Sequence, residues 1–227
     1  MSGEGCSGGN PHRRCSVLRR CPDPGRGAGR GPDGAGAAGR RAGADRGRVP
    51  RHPHGIGYDV SEDRAATVAA GKTGALLACA CELGAIAGGA TEERAQLLHG
   101  FGQRLGIAYQ CVDDVLGIWG EEPVTGKPAL SDLRSRKVTM PVAAAMAGNT
   151  PQAQSLRALY SGNGPLGEED YTRARDWIEQ SGAREATLRR ARRHTADALH
   201  LVDQAQLEPS AAAELAALAD LITHRDH

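Results

Sequence analysis

Seven apolar residues recur at steps of three and four between Leu98 and Trp119: Leu98, Phe101, Leu105, Ala108, Val112, Val115 and Trp119. Only a helix gathers such positions onto one face. Thr91 supplies an N-cap, and Glu92 and Glu93 place acid in the first turn, where the helix dipole favours it. Near the other end, in LGIAYQCVDDVLGIWG, stand Asp113 and Asp114, with no Lys or Arg within a helical turn of either. Burying two unpaired carboxylates costs on the order of several kcal/mol each. Either these acids sit in water at the helix end, just before Gly117 and Gly120, or the fold must offer them a counter-charge.

The rest of the chain repeats the helical signal. Ser61 is a candidate N-cap, followed by Glu62, Asp63 and a small-residue apolar run from Gly74 to Ala87. A loop is expected from Glu121 to Lys137, and Pro141 suits the first turn of a short helix ending near Gly148. Further helices are expected at about 151–160, 168–180, 183–205 and 210–224, separated by SGNGPLG, SGA and LEPS. With 3% aromatic residues, the core must be built from Ala, Leu, Val and Ile. No strand signal is present, so the expected fold class is all-α.

Residues 1–57 differ in kind. They hold 15 of the 31 glycines and eleven arginines, and after Met1 only Val17, Leu18, Val49 and Ile56 are large and apolar. A segment of that composition cannot bury enough surface to offset chain entropy, and a disordered tail is expected. RNA binding by its arginines lacks interleaved Phe or Tyr to stack on bases. A metal site from Cys6, Cys15, Cys21 and His12 lacks regular spacing. The Gly-Arg bias also suits an unrelated or out-of-frame leader.

A formal charge of +1 argues against nucleic-acid binding through overall charge. No uninterrupted apolar run is long enough to cross a bilayer, so no stable membrane insertion is expected. The six cysteines form no CxxC pair; thiols and a cytoplasmic location are expected.

On a wheel of about 100° per residue, Gln103, Gly106, Gln110, Asp113, Asp114 and Gly117 fall opposite the apolar stripe. That face predicts a cavity lined by small residues with carboxylates projecting into it. Adjacent carboxylates beside a glutamine suit Mg²⁺, which takes one or two carboxylates and completes its shell with water and phosphate oxygens. Lys72 in GKTGALLA, Lys127 after Gly126 and Lys137 in DLRSRKVTMP supply ammonium groups for a diphosphate.

The order of these elements resembles the second aspartate-rich region of the trans-polyprenyl diphosphate synthases. The matching residues are Leu105-Gly106, Tyr109-Gln110, Asp113-Asp114, Gly126-Lys127, Asp132-Leu133 and Lys137-Val138-Thr139-Met140-Pro141, with Lys72-Thr73 upstream. The resemblance runs from about Tyr58 to the C-terminus and implies an isoprenoid-synthase-type helical bundle over residues 58–227. It implies Mg²⁺ held by Asp113 and Asp114, and an allylic diphosphate bound by Lys72, Lys127 and Lys137 in a cavity that Gln110 and Thr73 also line. The implied reaction condenses isopentenyl diphosphate with an allylic prenyl diphosphate, with Asp113, Asp114 and Lys72 stabilising the departing diphosphate.

Two departures from the family pattern are visible. Gly117 stands where a third aspartate is common, and no Asp-Asp pair exists besides Asp113-Asp114, so the first aspartate-rich motif is not found. An incomplete bundle is therefore expected, as a homodimer or as a heterodimer with a complete synthase. The alternative is a non-catalytic truncated or partner subunit of a polyprenyl synthase lacking the first aspartate-rich motif.

Overall fold

A computed structural model describes residues 62–126, 128–162 and 164–223, and among them every regular element is helical. Helix α1 (Glu62–Ala69) runs through a π-helical turn (Ala70–Gly74) into α2 (Ala75–Ala87). Then come α3 (Glu92–Trp119), α4 (Glu122–Thr125), α5 (Ser131–Arg134), α6 (Met140–Ala147) and α7 (Pro151–Ser161). Helices α8 (Glu168–Gln180), α9 (Ala183–Ala205) and α10 (Pro209–Thr223) complete the chain. The tail of residues 1–57 and the cap assigned to Ser61 lie outside the described residues.

The helix ends follow local chemistry. Thr91 caps α3 as expected, its hydroxyl accepting from the Arg94 amide, and Thr150 caps α7 at Ala153 with Pro151 at the first position. Gly182, at φ 73°, makes the left-handed turn that separates α8 from α9. The expected loop of residues 121–137 instead contains the single turns α4 and α5. Elements of four residues are too short to leave a periodic signature in sequence.

Helix α3, about 42 Å long at 1.5 Å per residue, is the axis of the fold. Its apolar stripe is buried as read, except that Trp119 is half-buried beneath the Arg184 guanidinium, 5.1 Å from the ring centre. Phe101 and Leu105 pack with Ala198 and Val202 of α9 and Ala219 of α10. A second cluster joins Ile118 to Leu133, Met146, Leu156 and Ile178, so α5 to α8 close over the C-terminal end of α3.

The opposite face of α3 does not line a cavity along its length. A Cβ on Gly102 would lie 2.4 Å from the Leu77 carbonyl oxygen, and one on Gly106 would lie 2.5 Å from the Gly74 Cα. The small residues are therefore where α2 and the π-helical turn rest directly on α3. Absence of side chain permits close backbone approach as readily as it opens space, and here it does the former.

The helix Ala65–Ala87 corrects the membrane expectation in part. Over its 23 residues it is long and apolar enough to cross a bilayer by length and composition, with 22% of its most apolar window buried. Lys72 and Glu82 interrupt the run without lowering its average enough to disqualify it. Val68 and Leu76 stand exposed on it. Among the described residues Cys81 and Cys111 are free thiols.

One contact between α3 and α9 is pH-sensitive. Arg104 Nη1 lies 3.5 Å from His194 Nδ1 and 3.6 Å from Asp197. Burial first, then the guanidinium groups of Arg104 and Arg190, hold the His194 pKa below its ordinary 6.5. A depressed pKa gives stability that is present above the unfolded value and lost as pH falls through the folded one. Melting temperature is thus expected to drop as pH falls below about 6.5, and His194→Gln to flatten that part of the profile.

Candidate functional site

Asp114 is buried at 4% exposure, and its carboxylate joins three elements. Oδ2 accepts from the Met140 amide at 2.9 Å. Met140 is the first residue of α6, and the Thr139 side chain makes no capping bond there. Asp114 thus reaches from α3 to satisfy an amide at the start of α6, where the helix dipole favours negative charge. Its Oδ1 accepts from Gln110 Nε2 at 2.9 Å and from Lys137 Nζ at 3.1 Å. Gln110 Oε1 in turn accepts from Thr73 Oγ1 at 3.1 Å, which fixes the π-helical turn to the network. Single π turns inside helices are frequent at functional sites.

Lys137 also donates to Asp132 Oδ2 at 3.0 Å. The Asp132 carboxylate rests on Gly117, where a Cβ would lie 2.4 Å from Oδ2 and 2.6 Å from Cγ. Burial works against the Lys137 charge, but Asp114 and Asp132 outweigh it, and the Lys137 pKa is raised. Burial also raises the Asp132 pKa; Lys137 opposes this, and Asp114 and Asp113 add to it. The two shifts agree once charges are counted: Lys137 is shared by two carboxylates, Asp114 and Asp132, and Asp113 adds a third acid near them. Tyr160 anchors the segment of residues 128–139, the strap, its hydroxyl donating to the Lys137 carbonyl at 3.3 Å, and burial pushes that phenol far above its usual range.

Of the residues read from sequence, Asp113, Asp114, Gln110, Thr73 and Lys137 are brought together. Asp113 is half-buried and receives only a long contact, 3.4 Å from Gln110 Nε2 to Oδ2. Its other oxygen accepts no hydrogen bond among the described residues. Lys72 is exposed on the π-helical turn beside Thr73, without an ion pair among the described residues. Lys127 lies outside the described residues. Three participants were not assigned a role from sequence: Asp132, the Met140 amide and Gly117 as the seat of Asp132. Each left a trace: Asp132 in the Asp132-Leu133 match, Met140 in the match that ends at Pro141, and Gly117 as the place of a third aspartate.

No group of three or more His, Cys, Asp or Glu side chains stands at metal-ligand spacing among the described residues. A cation held by one or two carboxylates does not require such a group. Asp113 offers an open carboxylate oxygen, and two residues beyond Lys137 the Thr139 hydroxyl is buried without a hydrogen-bond partner. The carboxylate oxygens of Asp113 and Asp114 are hard donors of the kind that Mg²⁺ takes.

Residues 53–178 match the sequence profile of the polyprenyl synthetase family. The chain belongs to this family. It is 38% identical over 168 residues to a geranylgeranyl diphosphate synthase of Mycobacterium tuberculosis (strain ATCC 25618 / H37Rv), covering 74% of this chain and 47% of that one. The crystal structure of a polyprenyl synthetase from Streptomyces coelicolor A3(2) superposes with a TM-score of 0.69 at 38% identity, over 71% of this chain and 50% of that one. A geranylgeranyl pyrophosphate synthase from Corynebacterium glutamicum, complexed with isoprenyl diphosphate and magnesium, superposes with a TM-score of 0.67 at 31% identity. That match covers 74% of this chain and 48% of the other. The chain thus spans about half the length of these relatives, and the all-α isoprenoid-synthase fold of its described part is theirs.

Proposed function

We propose that this polyprenyl synthetase is a prenyltransferase of isoprenoid biosynthesis that condenses isopentenyl diphosphate with an allylic prenyl diphosphate in a Mg²⁺-dependent reaction. The observation that carries the reading is the pairing of Asp113, with an open carboxylate oxygen, and Lys137, whose ammonium stands 3.1 Å from Asp114. Asp113 and Asp114 would hold Mg²⁺, which supplies positive charge to the departing diphosphate. Lys137, Lys72 and Lys127 would take the remaining diphosphate oxygens. Thr73 and Gln110 orient the acids, and the Met140 amide fixes Asp114 as a carboxylate acceptor. As the allylic C–O bond breaks, fixed ammonium groups stabilise the growing negative charge without reorganising. The double bond of isopentenyl diphosphate then attacks the allylic carbon, and a proton is lost. Nucleophiles are scarce along the Ala- and Leu-rich helices, which limits interception of the cation.

The test is direct: the full chain is incubated with isopentenyl diphosphate and geranyl or farnesyl diphosphate, with and without Mg²⁺. A longer prenyl diphosphate formed only with magnesium supports the reading. No product together with no Mg²⁺-dependent ligand binding overturns it.

A second reading is favoured by the exposed Val68 and Leu76 on a mostly unburied apolar helix. On that reading the chain is a non-catalytic partner that covers this face with a complete synthase. Binding of prenyl diphosphate without turnover, and turnover restored by mixing with a complete synthase, would select it over the first.

A further inference from the structure

The Gly117–Asp132 contact has no part in the function as proposed. Asp132 comes from a strap fifteen residues beyond Gly117 and lays its carboxylate against the bare Cα of α3, one turn after Asp113. Any side chain at position 117 would occupy the space that Oδ2 and Cγ now fill, since even a Cβ would lie 2.4 and 2.6 Å from them. The neighbour is the carboxylate itself, which Lys137 holds at 3.0 Å, so a side chain at position 117 presses directly on that ion pair. Asp132 is 14% exposed at its side chain and Asp114 6%, with the Lys137 ammonium between them at nearly equal distances.

An ammonium shared in this way is held off a closed pair with either acid. Were Asp132 absent, Lys137 would settle on Asp114 alone and neutralise the carboxylate that stands next to Asp113. With Asp132 seated, the ammonium stays between the two walls, and the strap that carries it is held on α3. Ser131 secures the same strap through its hydroxyl, which donates to the Gly117 carbonyl at 3.4 Å.

We propose that Asp132 is a positioning residue that sets the Lys137 ammonium between α3 and the strap, and that Gly117 is its required seat. The ligand consequences of this inference rest on the proposed function, while the seat and the ion-pair coupling do not. The first experiment therefore uses no ligand. Thermal melts of the full chain are recorded for Asp132→Asn, Lys137→Met and the double variant, each with and without Gly117→Ala. The shifts for Asp132→Asn and Lys137→Met are expected to be non-additive when Gly117 is present, and to become additive with Gly117→Ala, because the carboxylate is then pushed off the ammonium. Equal coupling in both backgrounds overturns the inference. So does a Gly117→Ala substitution that costs nothing, or that costs as much beside Asp132→Gly as beside aspartate.

The second experiment measures calorimetric binding of farnesyl thiodiphosphate across a Mg²⁺ series. Groups that orient metal ligands typically contribute tenfold or more to metal affinity, so Asp132→Asn is expected to raise the Mg²⁺ midpoint about tenfold. Gly117→Ala, which keeps every charge, is expected to do the same, and the double variant no worse. If Asp132→Asn shifts the midpoint while Gly117→Ala leaves it in place, Asp132 acts as a bare charge and the positioning role fails. If the unaltered chain binds no farnesyl thiodiphosphate, the proposed function fails, and the ligand-free melts still decide the seat.

Discussion

Asp114→Ala is expected to destabilise the chain by about 3 kcal/mol and its neighbour Asp113→Ala by less than about 0.5 kcal/mol. The two residues have the same chemistry and adjacent positions, yet their surroundings differ. Asp114 is buried and accepts from the Met140 amide, Gln110 and Lys137. Hydrogen bonds to a charged group contribute roughly 1.5–3 kcal/mol, and a buried amide left unsatisfied costs about 1–3 kcal/mol. These terms do not add fully, because Lys137 keeps Asp132 and its half-exposed ammonium can turn to water. Asp113 offers only a 3.4 Å contact to lose. Asp114→Asn keeps an oxygen that can accept from Met140, and its cost is expected near 1 kcal/mol. For a chain of this size 1 kcal/mol moves the melting temperature by roughly 2–4 °C, so urea titration and thermal melting will separate the three variants. Equal destabilisation by Asp113→Ala and Asp114→Ala would contradict the assignment of Asp114 as the acid that joins α3 to α6.

The same contrast shows how far the sequence carries. The stripe from Leu98 to Trp119, the Thr91 cap, Pro141 and the breaks at Gly148, Gly182 and Glu208 are local signals, and the helices form where those signals place them. The adjacency of Asp113, Asp114 and Gln110 is also local, since one helical wheel contains it. What could not be read is whatever depends on two distant segments meeting. Gly117 was legible as a missing aspartate; that a later carboxylate rests on it follows only from the fold of the strap. Gly106 was read as the lining of a cavity because small residues give the same signal for a void and for a close approach. The π-helical turn at Thr73 adds one residue to a helix without disturbing its composition, so no periodic pattern reveals it.

That turn makes the face of α3 near Gly106 sensitive to one carbon atom. Gly106→Ala would place a Cβ 2.5 Å from the Gly74 Cα, and Gly102→Ala one 2.4 Å from the Leu77 carbonyl oxygen. Both obstacles are backbone, so relief requires α2 to move away from α3. Alanine contributes about 1 kcal/mol over glycine inside a helix, but overpacking costs typically 1–3 kcal/mol and sometimes more. A net loss of about 2 kcal/mol is expected for Gly106→Ala, against no loss for Gly71→Ala, whose Cβ would meet nothing within 4 Å. The displacement also has a chemical consequence. Thr73 lies one residue before Gly74 and holds Gln110 at 3.1 Å, and Gln110 holds both acids. Moving the turn outward breaks the first of these bonds and frees the Gln110 amide to rotate. Gly106→Ala is therefore expected to weaken Mg²⁺-dependent prenyl diphosphate binding about tenfold at a temperature where the variant is still folded, although it touches no ligand. Gln110→Ala should mimic the binding loss, with a stability loss confined to its bonds to Asp114 and Thr73 and no displacement of α2. A Gly106→Ala chain that melts lower but binds as tightly as before would show that the π-helical turn packs against α3 without positioning the acids.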